Sequence, residues 1–406
     1  MRHFLLAAAG TVLPLATPAW AADPVQGPPE PAPATSAAES AKAPEKKSEW
    51  EIKPRWRLQY DFANIDGPEG LTGTGNSEEI RRAQLGFDLK MPGGFSARVE
   101  GEFTADPIEF VDAYVAWNGD GINVTAGQQK FFSPLDDMTS DLNTSFTERA
   151  ALVTAFNFSR RTGVSAGYAK GDFQINGGVA TDPLIQLNDV DKNSISADVR
   201  AVWMPKFGKT TMHLAAAYHW KDRRDSDVVP VRYRQRPLVH STDTRYIATP
   251  NLLVEREQTW GVEAAAVNGP FHVAGEAYWQ HATRTGASDP TFFGAYAEVG
   301  FFLTKGDSRP LKGGQFGAIK PKKPLGDGGI GAVQINARYD YLDLNDAGIV
   351  GGTQDGYMAS IVWTPTSWMR LMAEYARLNY RDAVIAVAGD RDYGVDVIGA
   401  RVQFSY

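Results

Sequence analysis

From Trp50 to the last residue the chain alternates apolar and polar positions with a period of two. Trp50, Ile52, Trp56, Leu58, Tyr60 and Phe62 fall on one face of an extended segment, and Lys53, Arg55, Arg57, Gln59 and Asp61 on the other, because successive side chains of a strand point to opposite sides. Pro54 interrupts the apolar face and belongs near a strand end or a bulge, since it has no N–H for a ladder. The alternation returns over 95–103, 195–203, 212–219 and 333–341. It closes with Ile398, Ala400, Val402, Phe404 and Tyr406 set against Gly399, Arg401, Gln403 and Ser405. The segments are about ten residues long, the span of a tilted transmembrane strand. A barrel in lipid needs apolar residues outside, polar ones in a wet lumen and aromatics at both interfaces. The pattern predicts an all-β fold, a transmembrane antiparallel β-barrel. A soluble sandwich or propeller would explain the alternation but not the aromatic-ended last strand or the lack of a repeat near 40 residues.

Turn residues punctuate the pattern. Pro92-Gly93-Gly94, Asn118-Gly119-Asp120-Gly121, Lys170-Gly171-Asp172, Asn268-Gly269-Pro270 and Pro365-Thr366-Ser367 are short and are expected at the periplasmic end. Longer polar stretches are expected to alternate with them at the other end: 64–78, 131–150, 182–192, 221–256, 282–290, 305–329, 343–353 and 381–392. The count comes to about sixteen strands, enough to leave an aqueous channel.

Two N-terminal segments break the pattern. Residues 1–21 have a basic start at Arg2, an apolar stretch and Ala19-Trp20-Ala21, and read as an export signal with a small-residue cleavage site. Residues 22–48 are rich in Ala, Pro, Glu, Ser and Lys, with no aromatic and Val25 as the one aliphatic residue larger than Ala, a composition that cannot offset its ordering entropy and reads as a disordered spacer. The barrel is then expected over 49–406.

Composition narrows the chemistry. The 406 residues contain no cysteine, which excludes a disulfide scaffold, a Cys nucleophile and thiolate metal sites. A formal charge of −7 is a poor basis for nucleic-acid binding, although a net value averages over patches. The six histidines form no H-E-x-x-H pattern, and neither a G-x-S-x-G elbow nor a phosphate-cradling G-x-x-x-x-G-K-[ST] is present. No metal, cofactor or catalytic residue is expected. His213 and His219 share a strand face roughly 20 Å apart, as wall residues rather than joint ligands.

Basic residues cluster despite the acidic total. Arg232, Arg234 and Arg236 follow i, i+2, i+4 spacing, which in extended chain presents three guanidinium groups on one face at roughly 7 Å steps. Each binds an anion bidentately and keeps its charge. They could instead pair with Asp222, Asp225 and Asp227, or meet lipopolysaccharide phosphates outside a pore. A second cluster runs from Lys305 to Lys323, either a filter or a solvated loop. Arg55 and Arg57 lie on the lumen side of the first strand. The stretch from Gly127 to Ala150 is too long and polar for a hairpin turn; it either folds inward to narrow the channel or stays on the surface.

Several landmarks, in order, resemble the phosphate- and polyphosphate-selective porin family of Gram-negative outer membranes. Ile80-Arg81-Arg82-Ala83-Gln84-Leu85-Gly86-Phe87 is similar to an early I-R-R-A-x-L-G-F strand. Gly127 to Pro134 and Thr147-Glu148-Arg149 resemble its G-Q-x-K segment and T-F-x-E-R close. Arg232 to Pro237 resembles its R-x-R-x-R-P ladder, Asn268-Gly269-Pro270-Phe271 its G-P-F turn, and Phe301-Phe302-Leu303-Thr304 its F-L-T strand end. Departures fall at Phe131-Phe132-Ser133-Pro134 and Lys305-Gly306-Asp307. The resemblance covers about 50–406. It implies a sixteen-stranded homotrimer in which Arg232, Arg234 and Arg236 form a ladder, Arg81 and Arg82 lie near the pore wall, Lys130 lies near the constriction, and Lys312 and Lys320 are constriction lysines. Adjacent Arg81 and Arg82 cannot both face the lumen of a regular strand, so a bulge or an interface position is expected there.

The residues and the resemblance together lead to a passive outer-membrane channel, not an enzyme, that favours small anions, inorganic phosphate or polyphosphate above all. Its outer wall would meet lipid and lipopolysaccharide. The alternatives are a general or differently selective porin, for which acidic lumen residues such as Asp61, Glu100 and Glu102 speak, and a barrel that scaffolds an enzyme or adhesin.

Overall fold

The computed structural model describes residues 50–131, 134–187, 192–224 and 229–406; the expected export signal and spacer lie outside them. Sixteen long strands form one closed antiparallel sheet. They are β1 (Glu51–Asp66), β2 (Gly75–Lys90), β3 (Phe95–Glu102), β4 (Glu109–Gly119), β5 (Ile122–Lys130), β6 (Arg160–Lys170), β7 (Phe173–Ala180), β8 (Ile195–Trp203), β9 (Thr210–Asp222), β10 (Val254–Asn268), β11 (Phe271–Arg284), β12 (Thr291–Phe302), β13 (Ala332–Asp346), β14 (Ile349–Thr366), β15 (Met369–Arg381) and β16 (Tyr393–Ser405). Each pairs with its neighbours in sequence, and β1 also pairs with β16, so no edge is left.

The alternation predicts the faces correctly. On β1, Trp56, Leu58, Tyr60 and Phe62 are exposed outside while Arg57, Gln59 and Asp61 are buried inside. On β13, Ile335 and Tyr339 face out, and Gln334, Asn336, Arg338 and Asp340 face in. Pro54 pairs only with Phe87 of β2, because β1 meets β16 from Arg57 onward; its missing N–H deprives no neighbour. The β1–β2 register slips at one place. Gln59 pairs with Arg82 and Tyr60 with Ile80, which leaves Arg81 as an extra residue. This bulge turns both arginines inward.

Two loop expectations are corrected. The stretch 303–331 lies at the short-turn end: Phe302 N–H donates to Pro270 O at 3.0 Å and Leu325 N–H to Pro365 O at 2.9 Å. Strand parity requires this, since β12 runs toward the end where β1 begins. The stretch 343–353 is not a long loop. β13 and β14 continue through it to a two-residue turn at Ala347 and Gly348, both at positive φ, and its polar side chains bond one another (Asn345 Nδ2 to Thr353 Oγ1, 3.1 Å).

The connection 131–159 folds into the barrel, carrying α1 (Leu135–Met138) and α2 (Ala151–Ala155). The apolar side of α2 packs with Tyr278, Phe292 and Leu342 of the wall and with Tyr233, Leu238, Tyr246 and Ile247 of the 223–253 connection. Gly294 on β12 permits that approach: a Cβ there would stand 2.5 Å from the Leu152 side chain.

Candidate pore site

Wall carboxylates hold the inward loop by its backbone. Glu276 on β11 accepts N–H groups of Leu135 and Asp136 at 2.7 and 2.8 Å. Ser145 Oγ donates to Glu298 on β12 at 2.6 Å. Asp340 on β13 accepts from Ala151 N at 2.9 Å, and Glu374 on β15 from Thr147 N at 2.8 Å. Arg370 and Arg401, from β15 and β16, donate to the carbonyls of Leu142 (2.9 Å) and Thr147 (2.7 Å). Charged partners make these strong hydrogen bonds. The loop therefore leans on β11–β16 and leaves the open passage against the β1–β7 wall.

That passage has a volume of about 1180 Å3. Among the described residues it is lined by nine basic and six acidic side chains. Arg55, Arg57, Arg81, Arg82 and Lys130, all singled out by sequence, are among them. So are Arg98, Arg149, Arg160 and Arg401, which were not. Wall arginines find wall carboxylates: Arg55 and Arg98 share Asp88 at 3.1 and 2.6 Å, Arg160 takes Asp112 at 2.7 Å, and Arg401 takes Asp61 at 2.6 Å. The loop adds three acids, each between two cations. Asp137 lies 3.2 Å from Lys130 and 3.5 Å from Arg149. Asp141 lies between Arg57 and Arg82, at 2.7 Å from the latter. Glu148 lies 3.0 Å from Arg81 and 3.3 Å from Arg401. Burial would raise the pKa of Glu148, but Arg81 and Arg401 outweigh it and pull the group down to about 2. Asp141, opposed in the same way by burial, is held well below the usual range by Arg57 and Arg82.

A second cavity, about 360 Å3, sits on the long-loop side and shares Thr154, Asn157, Phe158, Ser159 and Gln186 with the first. Six basic side chains and one acid line it among the described residues. Three of the six carry acid partners: Arg161 with Asp198, Lys221 with Asp182 and Arg223 with Glu257. The other three are Arg232, Arg234 and Arg245. In the 223–253 connection a two-residue strand, Arg234–Gln235, pairs with Ile247–Ala248. The local extension puts Tyr233 and Gln235 in the core and leaves Arg232 and Arg234 exposed. Arg232 Nε donates to Thr249 O at 2.9 Å. Arg236 turns away, to Thr242 O at 2.8 Å and Asp243 at 3.2 Å. Arg232 and Arg234 pair with no described carboxylate, Asp222 included; Asp225 and Asp227 lie outside the described residues. Burial and the like charges of Arg236, Arg234 and Arg232 push Arg245 down to about 10, the mark of a crowded cationic site.

Lys312 and Lys320 are exposed on the 303–331 segment and do not line the passage. The hairpin Leu311–Lys312/Gln315–Phe316 instead turns Phe316 inward. Arg309 sits 3.7 Å over the Phe316 ring, and the Phe316 backbone N–H donates to Thr139 Oγ1 at 3.3 Å. Gln315, Phe316, Gly317 and Ala318 line the passage. Loop charge counting finds the lysines because they are many; it misses the hairpin because the residues that enter are uncharged.

A family model described as phosphate-selective porin O and P matches residues 52–406. The chain belongs to that family. This porin is accordingly a channel of the Gram-negative outer membrane. An uncharacterized protein of Caulobacter vibrioides is 43% identical over 365 residues, 87% of this chain and 74% of that relative. Solved structures share the fold at low identity. The trimer form of OmpT from Vibrio cholerae matches at TM-score 0.57 and 9% identity, covering 88% of this porin and 100% of that chain. The anion-selective porin of Comamonas acidovorans gives 0.54 and 13%, covering 88% and 100%. The outer-membrane channel DcaP of Acinetobacter baumannii gives 0.53 and 12%, covering 89% and 99%.

Proposed function

We propose that this porin is a passive diffusion channel, not an enzyme, that favours small anions and inorganic phosphate in particular. The observation that carries the reading is the charge of the upper cavity, six basic side chains against one acid among the described residues. An anion entering from outside meets Arg234, Arg232 and Arg245 in a small cavity between low-dielectric walls, which raises its local concentration. It then passes Thr154 and Asn157–Ser159 into a lumen with a smaller cationic excess. Several moderate sites in series favour conduction, because an ion must also leave. Phosphate presents oxygens that match guanidinium pairs, as chloride does not.

A general porin without a phosphate filter is the second reading. It is favoured by the lumen carboxylates, which already occupy most of the lower arginines. We also infer a homotrimer, a cleaved export signal over 1–21 and a spacer over 22–48.

Reversal potentials of the purified porin in asymmetric KCl across planar bilayers test the reading. Chloride preference supports it and potassium preference overturns it. Added phosphate should then block the chloride current; no block leaves the general porin.

A further inference from the structure

The three loop acids are placed where a permeating anion would bind. The case is clearest at Asp141. Its two carboxylate oxygens are gripped separately, Oδ1 by Arg57 Nη1 and Oδ2 by Arg82 Nε at 2.7 Å. Two guanidinium groups taking two oxygens of one anion is the grip that phosphate would receive. Asp141 lines the lumen passage with both arginines. Its side chain has no described partner on the loop beyond Ser140 Oγ at 3.5 Å, so this carboxylate does little to fold the loop itself. The wall already gives each arginine an acid: Glu100 stands 3.8 Å from Arg57, and Glu102 3.3 Å from Arg82. Asp141 is an additional anion delivered on a tether. Glu148 is likewise set between two arginines, although there Arg81 Nε at 3.0 Å and Arg401 Nη2 at 3.3 Å converge on one oxygen, Oε1.

We infer that Asp141 and Glu148 are tethered competitors that occupy two arginine seats of the lumen and must be displaced by a passing anion. The inference rests on the reading of the chain as an anion channel. A monovalent, spherical anion displaces the carboxylate only fleetingly, whereas a phosphate dianion offers more charge and more acceptor oxygens and holds the seat longer. The loop acids therefore raise the threshold for entry and sharpen selection for multiply charged oxyanions. They also keep each seat from becoming a trap, because the tether returns as the anion leaves. The depressed pKa of both groups means that the tether stays charged at neutral pH.

The experiment compares the intact porin with Asp141→Asn and Glu148→Gln in planar bilayers, with inorganic phosphate as the blocker of chloride current. If the seat is self-occupied about nine-tenths of the time, freeing it strengthens apparent binding about ten-fold. The half-blocking phosphate concentration should fall by that factor in either variant, and Asp141→Glu should remain like the parent. An acid that only held the loop would give the opposite result: a wider, noisier channel with weaker block. An unchanged or raised half-blocking concentration in both folded variants overturns the inference. Two variants on separate seats keep the test decisive if one fails to fold. Parent reversal potentials separate the two failures. Cation preference in the parent removes the anion reading itself, whereas an anion-selective, phosphate-blocked parent with insensitive variants removes only the competitor role.

Discussion

Arg401 and Asp61 face each other across the seam of the barrel, the guanidinium donating from Nε and Nη2 to the two carboxylate oxygens at 2.6 Å each. They are register partners on β16 and β1. The same arginine donates to Thr147 O at 2.7 Å, so one side chain fastens the seam to the constricting loop. Asp61→Asn leaves a buried guanidinium short of charge, which costs about 3 kcal/mol. The expected outcome is a lower temperature for conversion of the folded to the unfolded gel band, measured beside Asp66→Asn, an exposed control on the same strand.

The upper arginines differ in weight. Arg232 and Arg234 line the cavity, while Arg236 is turned to Thr242 and Asp243. Arg232→Ala with Arg234→Ala should move the reversal potential strongly toward potassium, and Arg236→Ala alone only slightly. Equal effects from all three would show that Arg236 also meets the ion.

Lysine positions provide a contrast. Neutralising Lys312 and Lys320 together should leave ion selectivity nearly unchanged, because neither lines the passage. Lys130→Gln should alter it, since Lys130 lines the passage and holds Asp137.

Acid should reach the constriction late. An ordinary glutamate titrates near 4.3, and Glu148 is held at about 2. A carboxylate depressed on folding contributes stability above its unfolded pKa and loses it as pH falls through the folded value. The difference in reversal potential between the parent and Glu148→Gln should therefore persist from pH 7 to about 3 and fade only below that. Loss of that difference near pH 5 would show that Arg81 and Arg401 do not hold the Glu148 carboxyl down.

The loop hold itself can be weakened. Glu374 accepts both Thr147 N and Thr147 Oγ1. Glu374→Ala removes both and leaves a buried N–H unsatisfied, at about 1–3 kcal/mol. Current flicker should increase while the barrel still migrates as folded.

Strand number, face assignment and the Arg81 bulge were legible because period-two alternation is a local property. Two adjacent arginines inside an alternating strand already violate it, and only an extra residue repairs that. The end at which 303–331 lies was miscounted for a reason also local: the polar stretch at 343–353 looked like a loop although it is paired strand. Arg98 and Arg401 were not singled out because each is a single arginine in an ordinary alternating strand, and the adjacent pair Arg160 and Arg161 sits at a strand start where alternation gives no signal. Lys130 pairs in register with Arg160, yet nothing in the sequence says which strands will face the passage once the loop has covered the rest.

The inward loop has a consequence for assembly. Its fastenings lie far downstream: Glu276 is 141 residues beyond Leu135, and Arg401 is 254 beyond Thr147. Contacts of such separation form late, after the intervening chain has been ordered. The last of them sits on β16, whose pairing with β1 closes the cylinder. Sealing the wall and seating the gate are thus one event, and a nascent barrel that has not closed has no finished filter to leak through or to block.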